Sequence, residues 1–213
     1  MNIKGIIFDL DGVVCSTDEY HYAAWKSLAD KLGIYFDKQI NDRLRGVSRM
    51  ASLDIILERS EKQYTEEEKM QLATIKNTRY VELLQNLTPD DVLPGIRSFL
   101  KECHENNIKT ALASASRNAP FIIQKLALED AFDYVADAAK VKNTKPAPDI
   151  FLAAAEGLGL APSVCIGIED AAAGIEAIHA AGMKAVGIGT AETLSEADIL
   201  LDSTNKLTLE SIL

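Results

Sequence analysis

Ile3-Lys4-Gly5-Ile6-Ile7-Phe8-Asp9-Leu10-Asp11-Gly12-Val13-Val14 stands near the start of the chain. Its first half is short, apolar and rich in β-branched residues. That composition suits a strand buried on both faces, hence a parallel sheet. Two carboxylates follow where the strand should end. Residues two apart on a strand share a side, so Asp9 and Asp11 are expected to converge at its carboxyl end. Gly12 lets the backbone turn there. Crowded carboxylates resist joint ionisation unless a cation or a shared proton relieves them. In a loop such a pair is usually solvated or caps a turn. After a buried first strand it carries more weight, because open α/β sheets bind ligands at the carboxyl ends of their strands.

The 213 residues can bury a sizeable core. A net charge of −10 argues against a nucleic-acid or anionic-membrane partner. It leaves room for a small anionic substrate, which needs only local positive charge. Cys15, Cys103 and Cys165 are widely spaced and form no metal-binding pair. Their odd number suits a reducing compartment. No apolar run reaches membrane-spanning length, and Asp9 and Asp11 interrupt the first one, so it does not read as a secretory signal. The expectation is a cytoplasmic protein and, with no obvious interface, a monomer.

From Thr17 to Leu32 the apolar positions fall at helical spacing, with Thr17 or Asp18 as N-cap. Helices are expected over Lys38–Leu44, Met50–Arg59 and Thr65–Asn86, the last opened by a capping box, Thr65 with Glu68. Beyond Thr88-Pro89-Asp90-Asp91 the pattern changes to alternation. Strands are expected at Ile108–Ala113, Tyr134–Ala136, Val164–Ile168, Lys184–Ile188 and Ile199–Leu201. Helices are expected at Ile96–Asn106, Asn118–Leu128, Asp149–Leu158, Ala171–Ala181 and the carboxyl end. Such alternation implies a Rossmann-like α/β parallel-sheet core. The division read from this pattern is a core of residues 1–15 and 91–213, with residues 16–90 a helical cap inserted after the first strand.

Each later core strand runs into polar residues. Ser114-Ala115-Ser116-Arg117-Asn118 precedes a helix, where hydroxyls and free N–H groups suit an anion or a plain N-cap by Ser116. Lys145 precedes Pro146-Ala147-Pro148-Asp149, prolines that fit a helix start and fix the lysine's approach. A lysine beside carboxylates balances charge and suits a transferring phosphoryl group. Glu169-Asp170 could cap the next helix or, with Asp9 and Asp11, form a hard-oxygen Mg²⁺ site. In the helical insertion, Gly46 gives its loop freedom to approach a substrate. Arg49 alone is usually a surface charge, although arginine is well suited to a bidentate phosphate contact. Trp25 at helical spacing is more often core than sugar platform, and His21 in a first helical turn is more often solvated.

The set resembles the haloacid dehalogenase-like superfamily of phosphotransferases over essentially the whole chain. Asp9-x-Asp11-Gly12 matches its first motif, Ser114 the second, Lys145 the third and Glu169-Asp170 the fourth. The helical insertion is similar to the cap of the phosphoglucomutase-like branch. So are Tyr20-His21-x-x-Ala24-Trp25-Lys26, Gly46-Val47-Ser48-Arg49, Ala113 to Asn118 and Lys145 to Asp149. The resemblance implies Asp9 as nucleophile and Asp11 as general acid and base. It implies Mg²⁺ held by the Asp9 carboxylate, the Asp11 carbonyl and the acids Glu169 and Asp170. The implied activity interconverts β-D-glucose 1-phosphate and glucose 6-phosphate, primed by glucose 1,6-bisphosphate. Arg49, Ser116 and Asn118 are the implied contacts of the distal phosphate. Thr17, His21 and Lys76 become cap-closure and positioning residues. Trp25, Val47 and Ser52 would line the sugar pocket, and Gly46, Ser48 and Ala115 complete the substrate-binding set. Arg45 and Arg117 stand where lysine is expected, and Ala171 where a hydroxyl residue is frequent. The nearest alternative is a capped sugar-phosphate phosphatase. A phosphoacceptor receiver module would need no insertion of this size.

Overall fold

A computed structural model describes residues 3–44 and 47–213. The chain forms two compact units, Met1–Ser16 with Thr88–Leu213, and Thr17–Leu87. In the first, six strands build one parallel sheet: β1 (Gly5–Phe8), β2 (Lys109–Leu112), β3 (Tyr134–Val135), β4 (Cys165–Glu169), β5 (Lys184–Ile188) and β6 (Ile199–Leu201). Their order is β3-β2-β1-β4-β5-β6. β1 therefore lies between β2 and β4, and all four of its residues are buried, as expected of a strand covered on both faces. The register sets Phe8 beside Leu112 and Ile168. Asp9 then continues toward β4 by donating its N–H to the Ile168 carbonyl, 2.9 Å. The chain ends of β2, β1 and β4 thus lie at one level.

In the second unit, α1 (Asp18–Leu32), α2 (Lys38–Asp42), α3 (Arg49–Leu57) and α4 (Glu66–Leu84) enclose a core of Trp25, Leu28, Phe36, Leu53, Ile56 and Ala73. The capping box at Thr65 and Glu68 is present in both directions. Ser48 caps α3 by accepting from the Ala51 N–H, which starts that helix one residue before the expected Met50. No strand interrupts this unit among its described residues.

The remaining helices follow the alternation: α5 (Ile96–Glu105), α6 (Ala119–Lys125), α7 (Asp149–Leu158), α8 (Ala172–Ala180) and α9 (Leu209–Ile212). α6 stops earlier than expected because Ala127 takes a positive φ of 50°, which a continuing helix does not allow. Phe8 anchors the sheet edge-to-face against Phe99 and Phe132, with ring centres 5.8 and 5.7 Å away. No helix among the described residues is long and apolar enough to cross a membrane.

Cys15, Cys103 and Cys165 are all buried free thiols. Burial pushes Cys103 up to about 12 and Cys165 up to about 11. The thiolate is the reactive form, so the native protein should leave Ellman's reagent unreacted at pH 8. All three thiols should titrate once denaturant opens the core; rapid colour without denaturant would contradict this packing.

Candidate active site

The first unit gathers charge where β1 and β4 end. Lys145, in the loop before α7, sends its Nζ to Asp9 Oδ1 at 2.5 Å and to Glu169 Oε1 at 2.6 Å. The Lys145 and Glu169 side chains are each only 2% exposed. The Phe151 ring lies 4.9 Å from the same ammonium. Burial raises the Asp9 carboxyl to about 7; Lys145 opposes that rise, while Glu169 and Asp11 add to it. Burial works against the Lys145 charge as well, but Asp9 and Glu169 outweigh it and hold the ammonium above its ordinary range.

Glu169 has a second task. Its Oε2 accepts from the Asp170 and Ala171 N–H groups, at 2.7 and 2.8 Å. This carboxylate thus serves the start of α8, where Ala171, lacking a side-chain cap, is the N-cap residue. Two glycines make room. At Gly12, φ is +80°, and a Cβ would stand 2.1 Å from Asp170 Oδ2; at Gly174 it would stand 1.9 Å from Glu169 Oε1. Both carboxylates therefore occupy space that any other residue would fill.

Asp9, Glu169 and Asp170 each bring one carboxylate oxygen to a common place, all within 4.8 Å of one another. That is the donor set of a hard divalent cation such as Mg²⁺. The Asp11 carboxylate is not one of these three donors. β1 ends at Phe8, and the Val14 and Cys15 N–H groups both donate to the Leu10 carbonyl. Asp11 consequently sits in a turn, where the two-residue rule does not apply. Its charge still reaches Asp9.

Beyond β2, Ser114 is buried. Its Oγ accepts from the Ser116 N–H at 3.1 Å, and Ser116 Oγ accepts from the Asn118 N–H at 3.2 Å. The hydroxyls brace the loop in two successive turns. Asn118, rather than Ser116, is the N-cap residue of α6. Ala115, Ser116 and Asn118 remain half-buried.

The helical unit holds a second cluster. Thr17 precedes α1 at the N-cap position but does not cap it; its hydroxyl instead pairs with the Tyr80 hydroxyl at 2.9 Å, in a buried place. Lys76 is buried, with its Nζ 2.8 Å from His21 Nδ1. An ammonium can only donate, so Nδ1 accepts and the neutral ring keeps its proton on Nε2. Burial, with Lys76 and Arg49 nearby, holds His21 well below the usual imidazole range. His21 is therefore not a solvated first-turn residue. The Lys76 ammonium also lies over the Trp25 and Tyr80 rings, at 4.6 and 4.5 Å. Trp25 is 2% exposed and belongs to this unit's apolar core. Ser52 is buried, while Val47, Ser48 and Arg49 are half-buried. Gly46 and Arg45 lie outside the described residues.

Sequence reasoning passed over Tyr80 and Phe151. A signal existed for the first: Tyr80 is four residues after Lys76 in α4, and His21 four after Thr17, so each pair shares a helix face.

A buried carboxylate paired with lysine, beside two further acids at adjacent parallel strand ends, defines a phosphotransfer-type α/β site. Residues 3–182 match the haloacid dehalogenase-like hydrolase family, and the chain belongs to that family. It is 48% identical to the β-phosphoglucomutase of Bacillus subtilis, over 98% of this chain and 93% of that protein. It superposes on the crystal structure of β-phosphoglucomutase from Clostridium difficile with a TM-score of 0.94 and 51% identity, covering 98% of this chain and 94% of that one. It is also 30% identical to a phosphorylated carbohydrates phosphatase of Thermotoga maritima, over 94% of this chain and 91% of that protein.

The neutral His21 predicts a pH dependence. Its folded pKa is depressed, so the unfolded chain takes up the proton first. The stability tied to it is complete above about pH 6.5 and is lost as pH falls toward the lower folded value. Denaturant unfolding between pH 7 and 5 should weaken more steeply in wild type than in His21→Gln. The difference is bounded by one proton, about 1.4 kcal/mol per pH unit. Parallel curves would remove the argument.

Proposed function

We propose that this enzyme is a Mg²⁺-dependent phosphotransferase acting as a β-phosphoglucomutase. It interconverts β-D-glucose 1-phosphate and glucose 6-phosphate through glucose 1,6-bisphosphate. The observation that carries the reading is the likeness to two β-phosphoglucomutases over nearly the full length of all the chains, the helical unit included.

Asp9 is the nucleophile: a carboxylate oxygen attacks phosphorus, a P–O bond forms, and the bond to the sugar oxygen breaks. Asp11 protonates that leaving oxygen and, in the second displacement, takes the proton of the incoming hydroxyl. Lys145 offsets the repulsion between the Asp9 carboxylate and the anionic phosphoryl group. Asp9, Asp170 and Glu169, with the Asp11 carbonyl, would hold Mg²⁺. When bound, that ion supplies charge neutralisation to the phosphoryl oxygens. Ser114 supports the loop that presents Ala115, Ser116 and Asn118. The helical unit serves as a cap, with Arg49, Ser116 and Asn118 taking the second phosphate. Thr17, His21 and Lys76 set the cap's geometry, and Gly46, Val47, Ser48 and Ser52 complete the sugar contacts. A mutase differs from a phosphatase in holding that second phosphate while the first is in transit.

The test is product analysis with β-glucose 1-phosphate, Mg²⁺ and a trace of glucose 1,6-bisphosphate. Glucose 6-phosphate without matching free phosphate is expected; free phosphate alone would make this a capped phosphatase. Chelating the metal should abolish turnover. Lys145→Ala should lower kcat about 10³-fold. Arg49→Ala should slow glucose 6-phosphate formation at least about tenfold, with less effect on phosphorylation of Asp9 by acetyl phosphate, which carries no second phosphate; unchanged mutase turnover would remove Arg49 from the phosphate contacts.

A further inference from the structure

The Lys145 ammonium must sit between two carboxylates with little tolerance, yet it is carried on a long flexible side chain in a loop. What fixes that loop lies outside the charge cluster. Asp149 is the first residue of α7. Its Oδ1 accepts from the Asn143 backbone N–H at 3.0 Å and from Asn143 Nδ2 at 3.1 Å. These two bonds close the loop of residues 143–149 at its base. Within it, the Ala147 N–H donates to the Thr144 carbonyl at 3.0 Å, forming a turn that brackets Lys145. On the helix side, Ile150 and Phe151 follow directly and are buried in the core. Phe151 is the ring beneath the Lys145 ammonium. The loop is thus closed across its base by the Asp149 carboxylate and anchored on the helix side by packing.

We propose that Asp149 is a positioning residue for Lys145, clipping Asn143 across the loop base so that the ammonium meets Asp9 and Glu169 without a search. The inference rests on the phosphotransfer reading of Asp9 and Lys145. Asp149 touches neither substrate nor the reacting atoms; it acts through the lysine. Its charge is not required, since an Asn side chain offers the same acceptor oxygen to both Asn143 donors.

The test follows phosphorylation of Asp9 by acetyl phosphate in Mg²⁺ buffer, read by intact mass. The Asp9 oxygen forms a bond to phosphorus as the bond to acetate breaks, and acetate leaves. Asp149→Ala should slow this step about tenfold, and Asp149→Asn should stay within about twofold of wild type. In the Lys145→Ala background, Asp149→Ala should cost nothing further, because two residues acting as one unit are not additive. Multiplying losses in the double variant would overturn the proposal. So would an Asn variant as slow as the Ala variant, or a lowered melting temperature with an unchanged rate. If wild type takes up no phosphoryl group that Asp9→Ala fails to take up, the phosphotransfer reading falls, and this proposal with it.

Discussion

One buried ammonium, that of Lys145, sits between the Asp9 and Glu169 carboxylates. Taking charges out of water costs several kcal/mol for each ion. The arrangement survives because each charge is met: the ammonium by two carboxylates, and the far Glu169 oxygen by two backbone N–H groups. Remove the lysine, and two buried anions face each other with Asp170 beside them. The surroundings follow from this constraint. Gly12 and Gly174 leave space for carboxylates that a methyl group would displace. Burial, with Glu169 and Asp11 adding to it, pushes the Asp9 carboxyl up to about 7 against the pull of the lysine. A site built that way suits a bound cation and an anionic substrate together.

Parallel strand order is what brings these residues to one place. Asp9, Ser114 and Glu169 stand at the ends of three adjacent strands, β1, β2 and β4, although more than 150 residues separate the first from the last. The ladder register keeps them level, and β1 has neighbours that leave in opposite directions along the sheet. Such a switch in strand order opens a crevice at the carboxyl ends. Chemistry located there can be varied through its loops without disturbing the apolar sheet below.

The helical unit solves a similar burial problem with other means. Lys76 is as deeply buried as Lys145, but the contacts around it include two aromatic faces and a neutral imidazole. π-faces attract a cation without the repulsion that paired carboxylates bring. Thr17 and Tyr80 close the cluster by a buried hydroxyl pair, and His21 lies against Tyr80 with ring centres 4.0 Å apart. Trp25 belongs to this packing first.

Much of the architecture was legible in local pattern. The β-branched run before Asp9, the alternation after Thr88 and the Thr65–Glu68 capping box are short-range signals, and each produced its element. The polar residues at strand ends were legible for the same reason, since a parallel sheet has only one face for them. Tertiary structure alone decided the partners. Whether Glu169 caps a helix or pairs with Lys145 depends on a contact spanning 24 residues, and it does both. Where Asp11 stands depended on where β1 ended, and a tight turn at Leu10 sets its place, with its charge still reaching Asp9. The place of Trp25 depended on α4 bringing Lys76 over its ring. Local sequence specifies which groups are available and on which element. Burial and long-range pairing, which depend on the whole chain, decide which of them meet.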